Sequence, residues 1–211
     1  DVFDRLEQLP RLERIAAPSV IDVIGDLPRL RPQLSFRGAG MRWTDAFEDP
    51  LFDEAVRQIA STNDARAASL ARLMQARRTD FRSMTRDRGH GQDRTVRSGR
   101  PTRQPKALRD WYVDRPSELL SNHECRAHMP TDLIRYLFVA AFGEIYRESP
   151  RLANFPPCLL PDHRNVAQQT IDQAIFKDRF RVQLADRFSM TVTSHIAKDG
   201  HAFIHPDSGQ C

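Results

Sequence analysis

The sequence has few cysteines, almost no lysine and no long apolar run. Three cysteines at irregular spacing, Cys125, Cys158 and Cys211, do not form the even set of a disulfide-stapled domain, which indicates reduced thiols in a cytoplasmic protein. The longest apolar run, Leu137 to Phe142, is too short to span a membrane, and residues 1–18 lack the apolar stretch of a signal peptide. A chain of 211 residues is long enough for one domain with its own core, or for two small ones.

Positive charge is concentrated in one stretch of the chain. Residues 65–109 contain thirteen basic residues against three acidic ones, whereas the remainder contains 19 basic and 25 acidic residues. Such a concentration is typical of a protein that binds a polyanion. A solvated, Arg-rich loop is the alternative, because the chain has only three lysines and uses Arg throughout.

Apolar periodicity predicts an α+β fold that is helix-rich in its N-terminal and central parts. We expect helices at Ser19–Leu27, Pro50–Ala60, Asp64–Arg78 and Pro130–Glu148. The last of these is apolar over most of its circumference, so it should pack centrally.

Other stretches predict loops and strands. Residues 29–49 are rich in Pro and Gly without a period and predict a loop, and residues 79–105 predict an exposed or disordered Arg-rich loop. From Phe180 onward apolar residues alternate with polar ones. This pattern predicts two or three short antiparallel strands at the C-terminal end, with a turn at Lys198 to Gly200.

Two short motifs suggest chemistry but lack its context. Phe36 to Gly40 has the glycines of a nucleotide-binding loop without the apolar strand before it or the helix after it, so we interpret it as a turn. Cys158 lies among prolines with no base near it in sequence, and we expect an inert thiol.

Histidines and cysteines also suggest a metal site. His123, Cys125 and His128 form one cluster, and a second contains His195, His201, His205 and Cys211. Neither cluster has the two tight ligand pairs that zinc sites use, and His201 and His205 lie in a predicted strand, where their spacing does not bring them together. We predict no metal. A zinc-dependent nuclease-like module built on the first cluster is kept as an alternative.

The C-terminal stretch combines basic and hydroxyl side chains. Guanidinium and hydroxyl groups on short strands and turns are the groups that contact phosphate oxygens. The alternative is a plain edge hairpin with threonine in its usual β positions. The predicted DNA-contacting residues are Arg179, Arg181, Arg187, Thr191, Thr193, Ser194, His195 and Lys198.

The order of residues from Arg181 to Asp207, RVQLADRFSMTVTSHIAKDGHAFIHPD, resembles the DNA cytosine-5 methyltransferase family. Many bacterial members have a form close to DRPSxTVTSHIxKDGHxFIHPDxxQC there, followed by RxLTxREAARLQ. Three other segments resemble the same family: Val20 to Ser35 (VIDVIGDLPRLRPQLS), the block from Asn122 that leads into DLIRYLF, and FPPCLLPDHRNV. The chain departs from the pattern at Phe188, where the family usually has proline.

The resemblance implies a specific role. Family members place a target-recognition domain beside a doubly wound S-adenosylmethionine-binding domain and flip cytosine out of duplex DNA. A Cys of a PCQ motif attacks C6, a Glu of an ENV motif assists at N3, and the methyl group moves to C5. By position, Thr191 corresponds to a threonine that contacts backbone phosphate. The resemblance thus implies a bacterial, DNA-associated protein of DNA methylation and restriction-modification.

None of the family's FxGxG, PCQ, ENV and QRRxR motifs occurs in the sequence. We therefore expect a C-terminal part of a larger α/β methyltransferase that by itself neither binds S-adenosylmethionine nor methylates DNA, and we assign no catalytic residue. The expected organisation is a connector at 1–49, a target-recognition region at 50–175 and a β-rich, DNA-facing segment at 176–211. A non-catalytic DNA-binding subunit that completes a partner chain is the other alternative.

Overall fold

The computed structural model describes residues 16–30, 34–35, 40–84, 95–96, 110, 119–120, 123, 127–162, 180–191, 201 and 203–210. Within them the chain is helix-rich, with α1 at Val20–Ile24, α2 at Pro50–Ala60, α3 at Ala67–Ser83 and α4 at Pro130–Tyr146. Short 3-10 helices lie at Trp43–Glu48, Leu152–Asn154, Pro157–Leu159 and Ser208–Gln210. Two-residue strands, β1 at Thr95–Val96 and β2 at Leu119–Leu120, pair antiparallel.

Helix α2 has the bounds that the sequence predicts. Asp49 is its N-cap and accepts a hydrogen bond from the Leu51 N–H at 2.8 Å, and Pro50 occupies the first helical position, where its missing N–H costs nothing. Phe52 and Ile59 lie on its buried face. The prediction is confirmed because capping and apolar spacing agree locally.

Helix α3 and the segment before α2 differ from the predictions. The helix expected to end at Arg78 continues to Ser83, and the 3-10 helix at Trp43–Glu48 lies in an expected loop. The ring of Phe81, 1% exposed, packs 5.1 Å from Trp43 and 4.9 Å from Phe47 between centroids. Burial of these three aromatic side chains in one cluster extends the helix into the Arg-rich stretch.

Helix α4 lies at the centre of the core, as predicted, with Leu137 and Phe138 at most 1% exposed. It ends at Tyr146, because Arg147 adopts the left-handed conformation with φ at 60°. A Cβ on Gly143 would lie 2.7 Å from Val182 Cγ1, so glycine permits the close approach of the C-terminal segment. None of the helices in the described residues combines the length and apolar character needed to cross a bilayer.

The C-terminal segment forms no strand within its described residues, contrary to the alternation that starts at Phe180. Val182 makes only an isolated parallel bridge with Ile204. The Val182 N–H donates to Ser149 Oγ at 3.2 Å, and the adjacent Arg181 and Gln183 N–H groups donate to the carbonyls of His201 and Ile204, so this backbone is held by the loop after α4 on one side and by the end of the chain on the other. Residues 192–200, which include the predicted turn, lie outside the described residues.

Candidate nucleic-acid interface

Five consecutive side chains, from Arg187 to Thr191, are exposed. We call residues 187–191 the tip. Phe188 is 73% exposed and Met190 52% exposed, although both are large and apolar. The tip therefore presents one guanidinium, two hydroxyl groups and two apolar side chains to solvent together.

Helix α1 supports the N-terminal side of the tip. Its Val20 N–H donates to the Arg187 carbonyl at 2.8 Å, and its Ile21 N–H donates to the Ala185 carbonyl at 3.0 Å. First-turn N–H groups have no acceptor within their own helix, so the loop supplies the missing acceptors. Ser19 caps the same turn through its side chain. The helix is shorter than predicted: its last α-helical bond runs from the Gly25 N–H to the Ile21 carbonyl at 2.9 Å, and the chain then turns, with the Leu27 N–H bonded to the Ile24 carbonyl at 3.0 Å.

Gln183 supports the other side of the tip from below. Its side chain is buried, and its Oε1 accepts hydrogen bonds from the Met190 N–H at 3.1 Å and from Ser189 Oγ at 3.4 Å. This role was not predicted, because the alternation of apolar and polar residues places Gln183 on the outward face with Arg181. A buried amide that bonds the loop backbone restricts the conformation of the tip.

The charges near the tip are mainly positive. Arg181 lies behind Met190, with Nη1 3.2 Å from Sδ. The carboxylate of Asp186 is paired with Arg147, which offsets the nearby negative charge. In the described part of the chain no carboxylate pairs with Arg187, whose guanidinium is exposed.

Three of the predicted DNA-contacting residues fall within the described part of the chain. Arg187 and Thr191 lie at the two ends of the tip, and Arg181 contacts Met190 of the same tip. The structure therefore brings these three together on one surface. The other five lie outside the described residues: Arg179, Thr193, Ser194, His195 and Lys198.

Three of the four arginines of α3 are paired with carboxylates, whereas the fourth, Arg72, is exposed and donates to Ser69 Oγ at 3.1 Å. Arg78 Nη1 lies 2.7 Å from Asp53 Oδ1, and the Arg82 guanidinium forms a bidentate salt bridge with the Glu48 carboxylate. The Arg66 guanidinium lies 4.1 Å above the Tyr146 ring. The described part of the Arg-rich stretch thus uses much of its charge within the fold. The arginines and the lysine from 86 to 109 lie outside the described residues.

Arg77 uses its charge to hold the end of the C-terminal segment. Its Nε donates to Ser208 Oγ at 2.8 Å, and its Nη2 lies 3.6 Å from Asp207 Oδ1 and 3.7 Å from Glu144 Oε2. The Ser208 N–H donates to Glu144 Oε1 at 2.6 Å. This network joins α3, α4 and the C-terminal segment, and Ser208 at its centre is fully buried. It was not predicted from the sequence.

Two titratable groups beside this network have shifted pKa values. Burial lowers the pKa of His205, whose Nδ1 accepts a hydrogen bond from the Asp207 N–H at 3.1 Å. Burial opposes ionisation of Asp207, but hydrogen bonds from the Gly209 N–H and the Gln210 side chain, with two nearby arginines, hold its pKa below the usual range. Near neutral pH His205 is therefore held neutral and Asp207 ionised.

The histidines proposed as zinc ligands bond to protein groups. His123 Nε2 lies 2.7 Å from the Pro28 carbonyl oxygen. The Tyr136 hydroxyl lies 3.3 Å from His128 Nδ1 and 2.7 Å from His201 Nδ1. Among the described residues, no three His, Cys, Asp or Glu side chains are grouped to hold a metal, and Cys125 lies outside them. The described residues do not favour the zinc alternative.

The other two motifs also lack the features of a catalytic or cofactor site. Burial and the nearby Glu54 charge raise the pKa of the Cys158 thiol, which agrees with an inert cysteine. Gly40, the described residue of the Phe36 to Gly40 motif, precedes a 3-10 helix and not the α-helix that a nucleotide-binding loop requires.

A stretch of 55 residues is 44% identical to a Type II methyltransferase from Bacillus paralicheniformis. The similarity is to a methyltransferase. The match covers 26% of this chain and spans about a tenth (11%) of that methyltransferase. No family model matches the chain, and no solved structure matches it.

Proposed function

We propose that this chain is the DNA-recognition part of a DNA cytosine-5 methyltransferase. The observation that carries the proposal is the tip, where Arg187 and Thr191 are both exposed at the ends of a loop with a supported backbone. The similarity to a Type II methyltransferase and the resemblance of Arg181 to Asp207 to the cytosine-5 family support the same role.

In this proposal the tip holds the phosphate backbone. The Thr191 hydroxyl donates a hydrogen bond to a phosphate oxygen, and the Arg187 guanidinium neutralises an adjacent phosphate. Gln183 and α1 fix the loop, so less conformational entropy is lost when DNA binds. The helical core acts as the rigid support for this surface.

The predicted hairpin would enlarge the interface. In an extended strand leading to a turn at Lys198 to Gly200, Thr193 and His195 would lie on the same face as Thr191 and add donors for neighbouring phosphates, with Ser194 on the opposite face. Residues 192–200 of this hairpin lie outside the described part of the chain.

Methyl transfer itself requires groups that this sequence lacks, because neither PCQ nor ENV occurs in it. S-adenosylmethionine would supply the methyl group when bound to a catalytic domain, on the same polypeptide or on a partner chain. The residues of this chain position duplex DNA, in the bacterial cytoplasm, for that domain.

A binding titration tests the proposal. Fluorescence anisotropy with a labelled DNA duplex should show affinity that falls steeply with salt, at a log–log slope of about −0.9 per phosphate neutralised. Thr191→Val should weaken binding about tenfold, because it removes a hydrogen bond to a charged group. Thr79→Val, at an exposed position of α3, is the matched control and should bind like the unchanged chain.

Two results would contradict the proposal. One is the absence of salt-dependent duplex binding by the full chain. The other is equal binding by the Thr191 and Thr79 variants. Methyl transfer by the purified chain alone would overturn the assignment of the chemistry to a separate catalytic domain.

A further inference from the structure

Phe188 and Met190 are the two most exposed large apolar side chains in the described residues, at 73% and 52%. They alternate with Ser189 and lie on the same five-residue tip as Arg187 and Thr191. Two large apolar groups at one exposed point contribute little to the stability of the core, and grouped exposed apolar side chains commonly mark a binding surface.

The backbone beneath these two side chains is held in place. The carbonyl of Arg187, next to Phe188, accepts a hydrogen bond from the Val20 N–H at 2.8 Å. The Met190 N–H donates a hydrogen bond to the buried Gln183 side chain at 3.1 Å. The loop is therefore fixed on both sides of Ser189, to α1 through Arg187 and to Gln183 through Met190. The exposed apolar groups are presented by a supported loop and not by a free end.

Polar groups surround the two apolar side chains. The Arg187 guanidinium and the Thr191 hydroxyl lie at the two ends of the tip, and the Arg181 guanidinium lies 3.2 Å behind Met190 Sδ. The nearest acidic group in sequence, Asp186, is paired with Arg147. A partner that binds the tip should therefore have an anionic surface for the guanidinium groups. It should also have an apolar interior close enough to that surface for Phe188 and Met190 to reach.

We propose that Phe188 and Met190 form an apolar wedge that inserts between base pairs of duplex DNA. The inference rests on the proposed function, because it needs the tip to lie on DNA. Duplex DNA provides both features in one groove, with phosphates along its edges and stacked base faces between them. Phe and Met are among the side chains that partly unstack a base step when a protein presses them into the minor groove.

The affinity of matched variants tests the wedge. Phe188→Ala should weaken duplex binding about 5- to 100-fold, the range seen when an aromatic partner of a base is removed. The slope of affinity against salt should stay unchanged, because no phosphate contact is lost. Met41→Ala, at a 44% exposed methionine outside the tip, is the control and should leave both quantities unchanged.

A DNA supercoiling assay detects the unwinding that insertion between base pairs would cause. Closed-circular DNA relaxed by a topoisomerase in the presence of the full chain should be negatively supercoiled once protein is removed, because a wedge unwinds the duplex. Phe188→Ala should lose this shift even at saturating protein, and Phe188→Leu should retain part of it. Both variants should keep the unfolding temperature, since residue 188 is mostly exposed.

The outcomes separate this inference from the proposed function. No duplex binding by the unchanged chain would overturn both. Salt-dependent binding with equal affinity for the Phe188 and Met41 alanine variants, or with no change in DNA supercoiling, would overturn the wedge alone. Loss of binding by Phe188→Ala together with a supercoiling shift from the unchanged chain would support it.

Discussion

The helical core and the tip use arginine in opposite ways. In α3, where arginine is dense, Arg77, Arg78 and Arg82 are paired with carboxylates of neighbouring elements. At the tip, Arg187 is exposed and no carboxylate pairs with it in the described part of the chain. The difference shows that the density of charge in a sequence does not locate the charge available to a partner.

The two regions also differ in what holds them together. The core is stabilised by buried apolar side chains such as Phe52 and Phe138, whereas the tip depends on hydrogen bonds from Gln183 and the first turn of α1. Changes in the core should therefore alter stability, and changes at the tip should alter binding.

The largest expected effect is in the core. Phe138→Ala should lower the free energy of unfolding by about 3–5 kcal/mol, because it leaves a cavity beside Phe142 and Phe155. Phe188→Ala should change it by less than about 0.5 kcal/mol, since that ring is mostly exposed. Urea unfolding measures the free energy of unfolding of both variants. Comparable losses of stability in the two would contradict the difference between core and tip.

The contact between α4 and the C-terminal segment gives the next effect. Gly143→Ala should destabilise the protein by about 1–3 kcal/mol, because the new Cβ would lie 2.7 Å from Val182 Cγ1. Helix propensity alone predicts a gain of about 1 kcal/mol, so the two accounts differ in sign. Adding Val182→Ala should make Gly143→Ala less harmful in a double-mutant cycle. A purely additive cycle would show that the close approach is not what constrains Gly143.

The pH dependence of stability tests the end of the C-terminal segment. The folded-state pKa of His205 is lowered, so the unfolded chain binds more protons as the pH falls through the ordinary histidine value of about 6.5. The free energy of unfolding should therefore decrease below that pH. Replacing His205 with Gln should reduce the decrease, as urea titrations above and below pH 6.5 would show. An unchanged dependence in the His205 variant would contradict this assignment.

The smallest expected effect is on an exposed ion pair of the core. Arg82→Ala should leave the free energy of unfolding nearly unchanged, because both Arg82 and Glu48 are largely solvated. Glu48 has a pKa below its ordinary value, chiefly through its hydrogen bond with Arg82, and the variant should bring it back toward that value. NMR titration of the Glu48 carboxyl would detect this, and an unchanged pKa would contradict the pairing.

Local signals predicted the helices well, and contacts distant in sequence decided the rest. Helix α2 was predicted to the residue because Asp49 caps it and Pro50 starts it. The extension of α3 to Ser83 was not predictable, because it depends on Phe81 meeting Trp43 and Phe47 across the fold.

The same division holds for the candidate site. Residue types and order predicted that Arg187 and Thr191 contact phosphate, and the structure shows that both side chains are exposed. The support by Gln183 and by α1 could not be predicted, because Val20 and Arg187 are far apart in sequence and meet only through their backbones. The expected strand near Val182 is reduced to an isolated bridge with Ile204 in the described residues, and the Val182 N–H donates to Ser149 Oγ, which is distant in sequence.

The most direct test of the central claim compares Arg187→Ala with Arg82→Ala in duplex binding as a function of salt. The Arg187 change should weaken binding and reduce the log–log salt slope by about 0.9, the value for one phosphate contact. The Arg82 change should leave the slope as it is, because that arginine is paired within the core. Equal slopes for the two variants, or a larger change for Arg82, would contradict the claim that the tip and not the Arg-rich helix faces DNA.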